Sequence, residues 1–315
     1  MKNKSPKMLE AALNREKTKL PEGFGAESSL TAVLLVHCAM GVYYYGPRAA
    51  AVAAVCAASC LGADIVCLIL RKKRLRIHDL STIVTGLAIA CLLPASVPYT
   101  IAAGACVFAV CIAKHPFGGR GCEIICPAAA GYIFAELSFY RQTHFYPKPF
   151  EPLGLANTVT EQLYRAFSGG VSGGEFSELE LLVGSTPAPL GCTGAVTVMV
   201  CGAAVIFMGA YPRSVLIPEA AVFLGYILLF GNKSLAACAV DIFAVAVLSC
   251  GGHIPEKISG RIIFGIISGI LIIIVSEISS LRFPAVYSCV IAAPFAFLAD
   301  NIVGRPAAAQ SEKTQ

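Results

Sequence analysis

The sequence predicts an all-helical integral membrane protein with about ten transmembrane helices. Hydrophobic residues make up 57% of the 315-residue chain and charged residues only 14%, against roughly 25% charged in an average soluble domain. The mean hydropathy is +0.73. Ten apolar stretches follow one another from Leu30 onward. These features exclude a soluble globular enzyme, and they exclude a disordered chain, which requires low hydrophobicity and a high density of charge.

The ten stretches differ in length. They comprise residues 30–45, 48–70, 79–94, 98–114, 127–140, 191–211, 213–230, 234–250, 261–279 and 283–302. Several are shorter than the ~20 residues that a helix perpendicular to the bilayer requires. Short helices occur inside membrane bundles as half-buried or broken elements, where protein covers their open backbone or a cavity adjoins it. We therefore expect broken helices among the ten.

Lysine and arginine are unevenly distributed over the segments between the stretches. With a cytoplasmic N-terminus, 18 of the 24 fall on the cytoplasmic side and 6 fall outside. The positive-inside rule then predicts that both termini face the cytoplasm of a prokaryotic plasma (inner) membrane. Residues 1–29 and 303–315 are expected to be cytoplasmic tails, the first too polar for a signal peptide. The net charge of +5 is explained in this way without a nucleic-acid partner.

One long polar segment, residues 141–190, divides the membrane part into residues 30–140 and 191–302. The predicted orientation makes this segment an extracytoplasmic loop. Five helices on each side of it indicate two repeats, and an odd number per repeat makes them inverted. The pairs Gly118–Gly119 and Gly251–Gly252 indicate either broken backbone near a central site or ordinary close packing of membrane helices.

Acidic residues inside a bilayer are costly, at roughly 2.5 to 3.5 kcal/mol on an insertion scale, so each needs an explanation. Asp241 is placed deepest, about seven residues into its stretch, and is either a cation or proton relay or a polar anchor between helices. Asp300 and Glu219 lie near stretch ends, where interfacial hydration explains them. Asp64 precedes Arg71 by about two helical turns and is expected to pair with the basic loop. The ion-pathway candidates are Asp241, Asp300 and Asp64; Glu136 is a further acidic residue within a stretch.

The cysteines and histidines offer few candidate sites. Cys122 and Cys126 are four apart, so on a helix they would share one face and could supply two thiolates. An iron–sulfur cluster takes four ligands, and the alternative is that they are small packing residues. His253, at the cytoplasmic end of the eighth stretch, is either a proton-exchanging group or a solvated loop residue. We predict no metal site, and no motif of a soluble catalytic site is present in the sequence.

The segment KHPFGGRGCEIICPAAAGYIF, residues 114–134, resembles the motif GGLGxNPFNPAxxGY of the membrane D subunit of Rnf electron-transport complexes. The B subunit of the sodium-translocating NADH:quinone reductase is a relative of that protein. Residues 71–94, 184–213, 260–275 and 291–306 resemble further segments of this family in the same order. The resemblance implies a scaffold similar to that of urea transporters, other Rnf-like subunits as partners, and movement of Na⁺ or H⁺ across the lipid bilayer.

In that family the extracytoplasmic loop carries flavin mononucleotide, FMN, attached through its phosphate to the threonine of a Ser-Gly-Ala-Thr motif. Here Ser172 and Gly173 match, Gly174 replaces alanine and Glu175 replaces threonine. A carboxylate cannot form the phosphoester and repels a phosphate at short range. We therefore expect no covalent FMN, leaving a noncovalently bound flavin or none. The family motifs around Cys122–Pro127 and Ser249–His253 are altered as well.

Three functional hypotheses follow. The first is a membrane subunit of an Rnf-like complex, supporting transmembrane electron transfer coupled to Na⁺ or H⁺ movement and having no catalytic activity alone. The second is a channel or carrier for a small solute on the same scaffold, without redox chemistry. The third is a purely structural subunit.

Overall fold

The structure, a computed structural model, is entirely helical over the residues that it describes. These are residues 5–72, 80–119, 121–150, 153, 182–230, 238–249, 251–278 and 283–303. Eleven α-helices occur in these ranges, and no β-strand occurs in them. The all-helical prediction is thus confirmed.

Each of the ten predicted apolar stretches contains one helix. In the first half these are α1 (Ser5–Tyr45), α2 (Pro47–Leu70), α3 (Leu80–Leu92), α4 (Tyr99–Phe108), which a π-helical segment (Ala109–Lys114) continues, and α5 (Pro127–Ser138). The single-turn helix α6 (Tyr140–Thr143) follows. The second half contains α7 (Ala195–Met208), α8 (Arg213–Phe230), α9 (Ala239–Val247), α10 (Ile258–Ile278) and α11 (Pro284–Val303). Because α1 begins at Ser5, much of the expected polar tail is helical.

The surface of the bundle is apolar, as a lipid environment requires. Within the described part of the chain, three helices are long and apolar enough to cross a membrane: Gly25–Tyr45 within α1, α2 and α10. Large hydrophobic side chains point outward from several helices, including Leu70 at 77% exposure, Leu229 at 82% and Ile278 at 82%. An apolar exterior of this extent would aggregate in water and is stable against lipid chains. The chain is a membrane protein.

The two halves repeat one pattern of helix neighbours. In the first half α3 packs against α1, α2 and α5, while α4 packs against α2 and α5. In the second half α9 packs against α7, α8 and α11, while α10 packs against α8 and α11. The halves meet where α1 contacts α7 and where α5 contacts α11. These helices at equivalent positions therefore share neighbours, whereas the α1–α2 and α3–α4 packing of the first half has no marked counterpart in the described part of the second.

The third helix of each half is too short to cross a bilayer. With 13 and 9 residues, α3 and α9 are about 20 and 14 Å long, against a hydrocarbon thickness of about 30 Å. Most of α3 and nearly all of α9 are buried among the other helices. These two short helices create the buried polar environments described next, because their last carbonyl groups end inside the protein.

Candidate functional site

Irregular backbone from the second half closes the C-terminal end of α3. The amide of Leu190 donates to the carbonyl of Leu93 at 3.0 Å, and the amide of Gly191 donates to the carbonyl of Cys91 at 2.9 Å. A Cβ atom at Gly191 would lie 2.4 Å from the Cβ of Cys91, so only glycine permits this approach. Residues 184–190 were predicted within the extracytoplasmic loop, yet Thr186 and Leu190 are buried here against the bundle.

Arg48 satisfies the carbonyl groups that follow α3. Its Nε donates to the carbonyl of Ala95 at 2.7 Å, and one terminal nitrogen donates to Ser96 and Val97 at 3.1 and 3.2 Å. The side chain is 1% exposed. The apolar pattern placed Arg48 at the start of its stretch on the outer side, but it lies in the first turn of α2 and points into the protein. The sequence around Arg48 gives no indication that its partners are carbonyl groups almost fifty residues away.

At the C-terminal end of α9, irregular backbone of the first half meets Gly251 and Gly252. A Cβ at Gly251 would lie 2.5 Å from the Sγ of Cys126, and one at Gly252 would lie 2.8 Å from the carbonyl oxygen of Ile124. Gly251 and Gly252 lie in irregular backbone, and their close approach to Cys126 and Ile124 also fits the packing role that the sequence left open. The expectation that Cys122 and Cys126 share a helix face is wrong, because both precede α5 in irregular backbone.

Glycine conformation explains why residues 118–119 and 121–126 are not helical. Gly118 and Gly119 have φ angles of +131° and +90°, a region that side-chain-bearing residues rarely adopt. Pro127 then begins α5. Cys126 is buried as a packing residue and Cys122 is exposed. Among the described residues, no group of three or more His, Cys, Asp or Glu side chains is arranged to hold a metal ion.

Asp64 and Lys114 are buried at one end of the first half. Asp64 Oδ1 lies 2.7 Å from His115 Nε2, so among the described residues its partner is this histidine and not Arg71, which donates to the carbonyl of His115 at 2.6 Å. The rest of the basic loop, residues 73–79, lies outside the described residues. Lys114 donates to the hydroxyls of Ser81 and Thr82 at 3.0 and 2.8 Å.

Two further carboxylates also meet histidines. Asp300 Oδ2 lies 3.1 Å from His253 Nε2, and Asp300 Oδ1 accepts the amide of Glu256 at 2.9 Å. Glu136 lies 3.1 Å from His144 and accepts the hydroxyl of Tyr287 at 2.8 Å. The structure therefore pairs His253, for which the sequence left a proton-exchanging and a solvated role open, with an ion-pathway candidate.

Asp241 lies in the first turn of α9, which begins at Ala239. It is therefore not as deep in its helix as the apolar stretch suggested, because α9 begins only two residues before it. Its Oδ1 accepts the amide of Ala285 at 3.1 Å, at the start of α11. The carboxylate thus faces the positive ends of two helix dipoles. It also lines a small cavity together with Phe223, Tyr226 and Glu277.

Glu219 is the acidic residue whose position differs most from the expected one. It was expected to be hydrated near a stretch end, but it lies inside α8 directly after Pro218 and is 0% exposed. Its Oε1 accepts the hydroxyls of Ser249 and Ser268 at 2.8 and 2.7 Å. Its Oε2 has no hydrogen-bond partner among the described residues. The only local indication in the sequence was its place six residues into the stretch, beyond the first helical turn.

The altered flavin-attachment residues Ser172, Gly173, Gly174 and Glu175 lie outside the described residues. Thr186, which follows them in the sequence, is 5% exposed and lies in the segment that closes α3.

Residues 26–308 match the model of a family described as the NQR2, RnfD, RnfE family. The D subunit of the Na(+)-translocating ferredoxin:NAD(+) oxidoreductase complex of Acetobacterium woodii is 33% identical over 180 residues, which are 56% of this chain and 55% of that protein. The D subunit of the ion-translocating oxidoreductase complex of Pseudomonas aeruginosa is 30% identical over 158 residues, 48% of this chain and 46% of that protein. The chain thus spans about half the length of the curated relatives it matches.

Proposed function

Because the chain belongs to the NQR2, RnfD, RnfE family, we propose that it is a membrane subunit of an Rnf-like ion-translocating oxidoreductase complex. In this role it supports transmembrane electron transfer coupled to Na⁺ or H⁺ movement, together with the other subunits. The Acetobacterium relative is named for ferredoxin:NAD⁺ oxidoreduction, so that reaction is the first assay for the complex.

The observation that supports this function is the pair of short helices at equivalent positions of the two halves, α3 and α9. Broken or short helices in corresponding positions mark binding sites near the middle of ion-coupled membrane proteins, because their ends present unpaired backbone dipoles inside the bilayer. Here the end of α3 is occupied by the guanidinium of Arg48. The end of α9 adjoins Ser249 and the carboxylate of Glu219.

We propose further that the chain crosses the membrane ten times as two inverted five-helix repeats, in which the short helices α3 and α9 cross together with the irregular backbone at their ends. The equivalent neighbours of α3 and α9 support this arrangement. The chain lies in the plasma membrane of a prokaryote with both termini in the cytoplasm, supported by the distribution of lysine and arginine. Two residues in that count are buried rather than in loops: Lys114, counted on the cytoplasmic side, and Arg48, counted on the outer side. Because one residue is lost from each side, the cytoplasmic excess of basic residues is unchanged.

We propose that no FMN is covalently attached at Glu175. The carboxylate has no hydroxyl to esterify, and no step of the proposed function is assigned to a flavin on this chain. Asp241, Asp300 and Asp64 remain the proposed ion-pathway residues from the sequence, and each has a hydrogen-bond partner that orients it.

The test is a strain lacking this chain, with redox-driven ²²Na⁺ or H⁺ uptake measured in inverted membrane vesicles. Loss of ferredoxin- or NADH-driven uptake, restored by the plasmid-borne chain, and co-purification of other Rnf-like subunits with a tagged copy would support the proposal. Normal redox-driven uptake combined with the loss of passive or coupled uptake of a small solute would instead favour the channel or carrier.

A further inference from the structure

We propose that Glu219, Ser249 and Ser268 form a binding site for a sodium ion inside the second half of the protein. A role of this site in ion translocation rests on the proposed function, whereas the binding of Na⁺ at the site does not. Nothing in the sequence pattern pointed to a site at these residues.

The carboxylate of Glu219 is incompletely satisfied. Its side chain is 0% exposed, Oε1 accepts two hydroxyls, and Oε2 has no hydrogen-bond partner among the described residues. No basic side chain lies within ion-pair distance of it in the described part of the chain. A buried carboxylate without a counter-charge is strongly disfavoured, and a bound cation supplies both the charge and the partner for Oε2.

The neighbouring groups are the ligands that a small hard cation prefers. A carboxylate and two hydroxyls are oxygen donors. Each serine hydroxyl donates its hydrogen to Oε1 and keeps lone pairs that can face a cation. The Sγ of Cys289 lies 3.7 Å from the Ser249 hydroxyl. Sulfur is a soft ligand, so a hard cation does not require it as a ligand.

Close packing of α8 and α10 creates this arrangement. Gly265 and Gly269, four residues apart on α10, allow its backbone to approach α8: a Cβ at Gly265 would lie 2.4 Å from the carbonyl oxygen of Val215, and one at Gly269 would lie 2.9 Å from Val222. Small residues at this spacing bring membrane helices together. Ser268 lies between them in sequence and reaches Glu219 because the two helices are so close.

The end of α9 contributes a favourable field. Ser249 follows Leu248, the C-cap residue of this helix. The C-terminal end of a helix carries a partial negative charge that attracts cations and would repel a second anion. The site therefore combines a carboxylate with a negative helix end, an arrangement that favours a bound cation over an unoccupied carboxylate.

Glu219 also lies between two of the proposed ion-pathway residues, Asp241 and Asp300. Phe223, Tyr226 and Ile227 follow Glu219 by four, seven and eight residues and lie on the same face of α8; they line the cavity that contains Asp241. At the other side, Ser249 is four residues before His253, which contacts Asp300. A cation entering at Asp241 would reach Glu219 before the pair of His253 and Asp300.

The experiment measures thermal unfolding of the purified full-length protein in nanodiscs, titrated with NaCl against choline chloride at constant ionic strength. We expect a saturable rise of the melting temperature that is specific to Na⁺, because a ligand that binds only the folded state stabilises it. In Glu219→Gln this rise should disappear, while the glutamine carbonyl oxygen still accepts both serine hydroxyls and preserves folding. In Ser268→Ala the half-saturating Na⁺ concentration should increase roughly tenfold, about the loss of one charge-assisted contact.

Glu136→Gln is the matched control. It makes the same chemical change on a buried glutamate of α5, in the first half, whose carboxylate contacts His144 and the hydroxyl of Tyr287, and it should retain the full Na⁺ response. Absence of a Na⁺-specific shift in the unmodified protein, or its persistence in Glu219→Gln, overturns the site. A protein without the shift that still supports redox-driven uptake would reject this site and leave the proposed function standing.

Discussion

Buried charges in this protein are stabilised in several different ways. Arg48 is surrounded by three backbone carbonyls, Asp64 lies against His115, and Asp241 accepts a backbone amide at the start of α11. Each arrangement supplies the partner that an intramembrane charge requires. Glu219 differs because one of its oxygens has no hydrogen-bond partner in the described chain. A buried carboxylate thus serves as an anchor in one place and as a candidate binding group in another.

Asp241→Asn tests whether the charge at the start of α9 is needed for coupling. Asparagine keeps an oxygen for the amide of Ala285 but removes the negative charge, so protein levels should stay near normal. If the charge is part of the ion pathway, redox-driven uptake should fall by roughly tenfold or more, as expected for loss of a charged partner worth about 1.5 to 3 kcal/mol. Uptake and immunoblot intensity are measured in the same vesicles. Normal uptake at normal expression would make Asp241 an anchor only.

Glu175 leads to a prediction about the cofactor. The purified, denatured protein should show no in-gel flavin fluorescence, because a carboxylate at this position cannot form the phosphoester. Glu175→Thr is the informative companion, since it recreates the threonine of the family motif and, when produced in a host that flavinylates such motifs, is expected to yield a fluorescent band. A fluorescent unmodified protein would show that another hydroxyl is used.

Individual side-chain environments were harder to predict than helices. The apolar stretches located ten of the eleven α-helices in the described residues, because helices that face lipid or the interior of a membrane bundle are built from long apolar runs. They could not show that Arg48 binds carbonyls beyond α3, or that Asp64 meets His115, because these contacts join residues more than forty positions apart. The glycines before Cys122 and the proline after Cys126 favour irregular backbone over a helix, so the four-residue spacing does not place the two cysteines on one helix face.

The two short helices depend on backbone from elsewhere in the chain to close their ends. At α3 this backbone is residues 184–194, which approach so closely that Gly191 contacts Cys91. At α9 it is the segment before α5, which contacts Gly251 and Gly252. Each end is closed by irregular backbone from the other half of the chain, so the two halves are interlocked at both short helices. This interlocking explains why residues 184–190 contain buried side chains although their sequence is typical of a loop.

Gly191→Ala tests the closure of α3. The added methyl group would overlap Cys91, and overpacking of this kind costs about 1 to 3 kcal/mol. We expect a lower melting temperature and a lower yield of folded protein in detergent. Gly104→Ala is the matched control, because a Cβ at Gly104 has no neighbouring atom within 4 Å; a methyl group at this open position of α4 should leave stability unchanged or slightly raise it. Equal stability of the two variants would contradict the close approach.

At the level of the whole protein, the repeated helix neighbours and the uneven distribution of basic residues support one arrangement. Five helix pairs of the first half, α1–α3, α2–α3, α3–α5, α2–α4 and α4–α5, have counterparts in the second, and the proposed number of spans in each half is odd. Two odd repeats in tandem enter the membrane from opposite sides. In the proposed arrangement the equivalent short helices α3 and α9 therefore point in opposite directions, so that one ends towards each side of the bundle.

Reporter fusions test this arrangement in the whole molecule. We expect a fusion after the C-terminus to report a cytoplasmic location and a fusion at Lys148 to report an extracytoplasmic one, because five proposed spans precede Lys148 and 18 of 24 basic residues then lie inside. Lys148 is exposed and follows α6, so an insertion there leaves the buried segment 184–194 intact. An alkaline phosphatase fusion is active only outside the cytoplasm and a green fluorescent protein fusion fluoresces only inside, so each site gives two opposite readings. A cytoplasmic reading at Lys148 would require an even number of spans before it, and the inverted five-helix repeats would then be wrong.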